Sequence, residues 1–128
     1  MWLGEHHNSK RDHLVQEEII RKVHKSMTKG GKSASLSIGL EQIQVGFQSV
    51  LDDYILGKID LLEMREKTQW DVRWQWPFEG YAPIFETARE LGLPLVALNV
   101  NSEDLAEVER YGLPGLSRDQ ISQYIPDP

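Results

Sequence analysis

Three short apolar runs, Met1–Leu3, Leu36–Glu41 and Leu95–Val100, stop at polar residues, and each is followed by a stretch whose apolar side chains recur at helical spacing. Short strand-like runs alternating with amphipathic helices specify an α/β fold with an open parallel sheet and flanking helices, because parallel neighbours need a helical crossover between them. Ser9 or Asn8 is placed to cap the first helix, where Val15, Ile19, Val23 and Met27 form a stripe with Ile20 beside it, and Gly30-Gly31 is placed to end it. Phe47, Val50, Leu51, Tyr54 and Ile55 predict a second helix, and a further one opens near Asp60 and runs through Met64. The segment from Gln69 to Tyr81 holds Trp70, Trp74, Trp76, Phe78 and Tyr81 without a consistent period and reads as a loop. Ile84, Phe85, Ala88 and Leu91 restore helical spacing up to Gly92, and Ser102 is placed to cap another short helix.

The chain's 128 residues suffice for one modest core, so one domain or part of one is expected. Fourteen basic against 20 acidic side chains give a net charge of -6, which opposes binding to a phosphate backbone, so nucleic acid is not an expected partner. There is no cysteine, which removes disulfides, thiolate metal sites, covalent haem attachment and a cysteine nucleophile. No apolar stretch approaches the ~20 residues of a membrane helix. Gly30-Gly31-Lys32-Ser33 imitates the tail of a phosphate-binding loop, but Ser26 stands where the earlier glycine belongs, and the segment leads from a helix into a strand. Neither a Gly-x-Ser-x-Gly elbow nor a His-Glu-x-x-His pair occurs.

Gly4-Glu5-His6-His7, Asp12-His13, Gly39-Leu40-Glu41-Gln42, Trp76-Pro77-Phe78-Glu79-Gly80-Tyr81 and Ala97-Leu98-Asn99 occur in an order and spacing that resemble ChaN-like domains, the haem-binding branch of the Tiki superfamily. The resemblance covers residues 1–128 and is nearest to the plant and photosynthetic-bacterial type. It implies a longer, erythromycin-esterase-like α/β domain, of which this chain would be the N-terminal part. The short run before Gly4 points the same way. The superfamily pattern of a Gly followed three residues later by His, with one Glu after each of the first two strands, falls on Gly4, His7, Glu5 and Glu41. The resemblance implies a haem-binding module, dimeric about its haem, or a metal-dependent hydrolase like other superfamily members. A chloroplast is the implied compartment for a plant-type chain, the cell envelope for a bacterial one.

In open α/β sheets ligands gather outside the carboxyl ends of the strands, where Glu5 and His7, then Glu41 with Gln42, then Asn99 are expected. Alternation along an extended segment sends Glu5 and His7 to one side and His6 to the other. Glu5, His7 and Glu41 together would hold a divalent metal ion or activate water in a hydrolase. A haem site would instead take imidazole from His6, His7 or His13 or a phenolate from Tyr81, with the aromatic segment as one wall. The bland alternatives are that Glu5 and Glu41 cap helices, that the aromatic residues are core, and that His24 and Asp52-Asp53 are merely solvated.

Overall fold

Ser9 decides where the first helix begins. In the computed structural model, which describes residues 1–31, 33 and 35–125, helix α1 runs Lys10–Met27 and the Ser9 hydroxyl accepts the Asp12 amide at 3.2 Å. A cap of this kind is worth about 1 kcal/mol. The face that α1 buries is not the expected stripe: His13 and Ile20 are buried, whereas Val15 is 46% exposed and Met27 39%. Polar pairing sets that rotation. The Arg21 guanidinium donates to Thr87 at 2.9 Å and to Glu90 at 2.7 Å, and the Thr87 hydroxyl donates to Glu17 at 2.8 Å.

The expected strand at Met1–Leu3 does not form. Three residues offer too few ladder bonds to hold an edge, and the segment is tied to α1 instead, through Gln16 Nε2 donating to the Leu3 carbonyl at 3.3 Å. The other two strands are present as β1 (Ile38–Gln44) and β2 (Leu95–Asn99), a parallel pair with Ile38 opposite Leu95 and Leu40 opposite Ala97. β1 extends three residues beyond the expected Glu41. Its register with β2 is irregular between Leu40 and Gln44, and there Ile43 and Gln44 are buried in succession, as an extra residue in a strand requires.

Between the strands run α2 (Gln48–Ile55), α3 (Leu61–Lys67), α4 (Trp70–Arg73) and α5 (Phe78–Glu90). After β2 come α6 (Ser102–Tyr111), with Asn101 rather than Ser102 at the N-cap position, and α7 (Arg118–Tyr124). α3 opens on a reciprocal cap, Asp60 with Glu63. The stretch read as loop thus contains α4 and the first turn of α5, and α5 continues through Gly80 and Pro83. Leu40, Ile43, Leu51, Tyr54, Met64, Trp70, Phe78, Phe85, Ala88 and Leu95 form the core on one face of the sheet. Each large apolar side chain fully buried there stabilises the fold by roughly 1.5–3 kcal/mol. Val96, Leu98 and Val100 lie partly exposed. Among the described residues β2 therefore has one covered face, not the two that its continuous apolar run suggests. The mixed helix and strand architecture is α/β. Lys32 of the loop-like Gly30–Ser33 segment lies outside the described residues; Gly30 and Gly31 follow α1 and precede β1.

Candidate functional site

Glu5 is a carboxylate almost out of water, its side chain 5% exposed, and a buried charge persists only if surrounding groups donate to it. Four side chains close on it. Tyr81, on the first turns of α5, donates its hydroxyl to Glu5 Oε1 at 2.8 Å. His7 Nδ1 lies 3.0 Å from the same oxygen, and Gln42 of β1 reaches it at 3.5 Å, the outer limit of a hydrogen bond. His13 of α1 sets Nε2 2.6 Å from the other oxygen, Oε2, with the approach off the line of an ideal hydrogen bond. The three elements meet because their contact is small. His13 lies against Tyr81 with ring centroids 3.9 Å apart, and a Cβ on Gly80 would come within 2.9 Å of His13 Nδ1. Only glycine lets α1 and α5 approach this closely.

Burial pushes the Tyr81 phenol well above its ordinary range; the indole of Trp74 opposes the rise and the charge of Glu5 adds to it. Tyr81 is therefore a phenol donor committed to Glu5 and, at 3.3 Å, to the His7 carbonyl. The phenolate ligand considered from the sequence would need to break both bonds and leave a site where Tyr81 is 1% exposed. His13 is equally enclosed and turned to Glu5 rather than outward. His6 is turned away as alternation requires: its backbone amide and Nδ1 meet Asp12 Oδ2 at 2.9 and 3.1 Å, and its side chain is 88% exposed. These contacts and Ser9 hold the Asp12 carboxyl down, at about 2.

His7 differs from the other candidates in having one edge fixed and one edge open. Its side chain is 35% exposed, and no described residue bonds its Nε2. Trp74 meets the imidazole edge-on at 4.9 Å between centroids, and Trp76 lies at 5.5 Å. Two left-handed residues, Gln69 and Gln75 with φ of 55° and 70°, bracket α4 and reverse the chain so that these indoles return to His7. Trp70 Nε1 donates to the Trp76 carbonyl at 2.7 Å and pins the return. The aromatic segment thus divides in two: Trp70, Phe78 and Tyr81 are core, as the bland alternative has it, while Trp74 and Trp76 face the site.

The remaining expected residues make no hydrogen bond to Glu5. Glu41 is exposed on β1 and bonds neither Glu5 nor His7, though its charge adds to the rise of the Tyr81 phenol, and among the described residues no group of three or more His, Asp or Glu could hold a metal ion. Asn99 bonds the amide of Val100 at 2.9 Å at the end of β2, away from Glu5. Gly4 is exposed, with open space where a Cβ would stand. The carboxyl ends of the two strands form a different polar corner. Arg73 of α4 donates to Gln44 at 2.6 Å and to both oxygens of Glu103, beside a cleft of about 320 Å³ lined by Gly46, Phe47, Gln69 and Asn101. A second cleft, of about 300 Å³, lies between Trp2, Leu3 and the exposed stripe of α1. Among the described residues no helix is long and apolar enough to cross a membrane.

The aromatic segment was read as one wall without Trp74 being singled out, and the double role of Glu5 was not anticipated from the sequence. The available signal was that His13 lies seven residues before the buried Ile20, on one helix face.

A family model described as haem-binding uptake, Tiki superfamily, ChaN, matches residues 1–128. The chain is similar to the protein RETICULATA-RELATED 5, chloroplastic, of Arabidopsis thaliana, with 27% identity over 130 residues. That alignment covers 98% of this chain and 17% of the relative, so the chain spans a small part of that protein's length. No solved structure matches the chain.

Proposed function

The chain belongs to the haem-binding uptake family of the Tiki superfamily, ChaN, and on that premise we propose that it binds haem as a non-catalytic module with His7 as the imidazole offered to iron. The observation that carries this reading is the geometry of His7: a half-exposed ring, its Nδ1 held 3.0 Å from a buried carboxylate, with two indoles beside it. A carboxylate on the far nitrogen of a ligating histidine fixes the ring and raises its basicity. The indoles supply flat apolar surface of the kind a porphyrin face requires. His6 has a carboxylate partner too, but it stands in solvent without such a wall. Bound haem would supply an iron centre; the chain's residues would ligate it at Nε2 of His7, orient it on Trp74 and Trp76, and hold the ring through Glu5.

His7 lines neither cleft, so the porphyrin would rest on an open face, and a second copy of the chain would cover its other side. The chloroplastic name of the relative supports a plastid as the setting.

Titration of the protein with hemin, followed at the Soret band, tests the proposal. The wild type is expected to shift the band; His7→Ala should weaken binding at least tenfold, about 1.4 kcal/mol, and His6→Ala should leave it nearly unchanged. An unaltered hemin spectrum at micromolar excess of wild-type protein, or loss in His6→Ala with retention in His7→Ala, would overturn it.

A further inference from the structure

His13 is a buried polar group that haem contact does not account for. Its side chain is 2% exposed, it lies under Tyr81, and Gly80 leaves the space it fills. Its polar neighbour is Glu5, whose Oε2 lies 2.6 Å from His13 Nε2. The two oxygens of Glu5 are therefore divided: Oε1 receives Tyr81 and faces His7, while Oε2 faces His13. A carboxylate can only accept, so the nitrogen of a neutral imidazole that faces it must carry the proton. Two buried polar atoms 2.6 Å apart need a proton between them for the same reason.

We propose that His13 is a positioning residue: by holding Glu5 Oε2 it fixes the carboxylate rotation that keeps the proton of His7 on Nδ1 and leaves the lone pair of Nε2 for a ligand. The inference rests on His7 being the ligand-facing imidazole and adds how its tautomer is set. With Oε2 unpartnered, the carboxylate would turn about its terminal bond, a broad torsion without deep wells. His7 would then lose its fixed acceptor. Tyr81 and Gln42 both donate to Oε1, so neither replaces the group that faces Oε2.

The test reads the ring nitrogens of the ligand-free protein by ¹⁵N-resolved NMR in mildly alkaline buffer and, separately, hemin affinity. Wild type is expected to show His7 protonated on Nδ1. His13→Gln, which keeps a donor toward Glu5, should preserve that state. His13→Leu, of similar bulk without the donor, should shift His7 toward the Nε2-protonated form and weaken hemin binding about tenfold. If circular dichroism shows that His13→Leu does not fold, His13→Asn, whose amide stops short of Glu5, is read in its place. An unchanged His7 tautomer in the donor-less variant overturns the proposal, as does identical behaviour of the Gln and Leu variants, which marks a packing role. A tautomer change in a protein whose wild type ignores hemin retains His13 as the positioning residue and removes the haem reading alone.

Discussion

At the residue scale the site depends on one missing methyl group. Gly80 sits inside α5, where alanine would be favoured by ~1 kcal/mol on helix propensity alone, yet a Cβ there would press on the rigid His13 ring at 2.9 Å and 3.3 Å. Overpacking of a buried ring costs roughly 1–3 kcal/mol, so the clash outweighs the gain. Gly80→Ala is expected to lower stability by up to about 2 kcal/mol in urea unfolding. A variant as stable as wild type would mean that His13 can move aside, and that Glu5 is held less firmly than its contacts suggest. Tyr81 belongs to the same scale. Its aromatic bulk was legible as core, but its engagement with Glu5 was not, because the two are 76 positions apart and only the α1–α5 packing unites them.

At the scale of elements, α1 is fastened at its start. Ser9 caps it, and Asp12 draws back the His6 loop through a backbone amide and an imidazole. The Asp12 carboxyl is held at about 2 against an ordinary 3.8. A depressed carboxyl contributes stability that is present above its unfolded value and lost as pH falls through its folded one. The docking of residues 6–9 on α1 should therefore persist near neutrality and weaken between 3.8 and about 2. Amide exchange or NMR shifts of His6 and Ser9 across that window check it, with Asp12→Asn expected to abolish the dependence. If Asp12→Asn retains the same transition, another group causes it. The cap itself was readable, since Ser9 precedes the helical spacing and side-chain caps act locally. The buried face of α1 was not, because hydrophobic periodicity favoured Val15 and Ile19 while the Arg21–Glu90 ion pair and the hydrogen bond from Thr87 to Glu17 turned the helix toward His13. The aromatic segment misled in the opposite sense: it shows no consistent period, yet tertiary contact carries α5 through Gly80 and Pro83.

For the whole molecule, alternation of strands and helices placed it in the α/β class, and the motif order pointed to its family; both stand. The site was legible as a list of residues but not as a shape. Glu5 and His7 meet on a segment that forms no strand, Glu41 hydrogen-bonds neither of them, and the acceptor at the centre faces groups from α1, β1 and α5 at once. The central claim is that the Glu5-held ring of His7 is the one a porphyrin iron would meet. Resonance Raman spectroscopy of the ferrous hemin complex tests it directly through the iron–imidazole stretching band. The account predicts the band in wild type and its loss in His7→Ala, with His6→Ala unchanged. A band that survives in His7→Ala, or its absence from a wild-type complex that binds hemin, would contradict it.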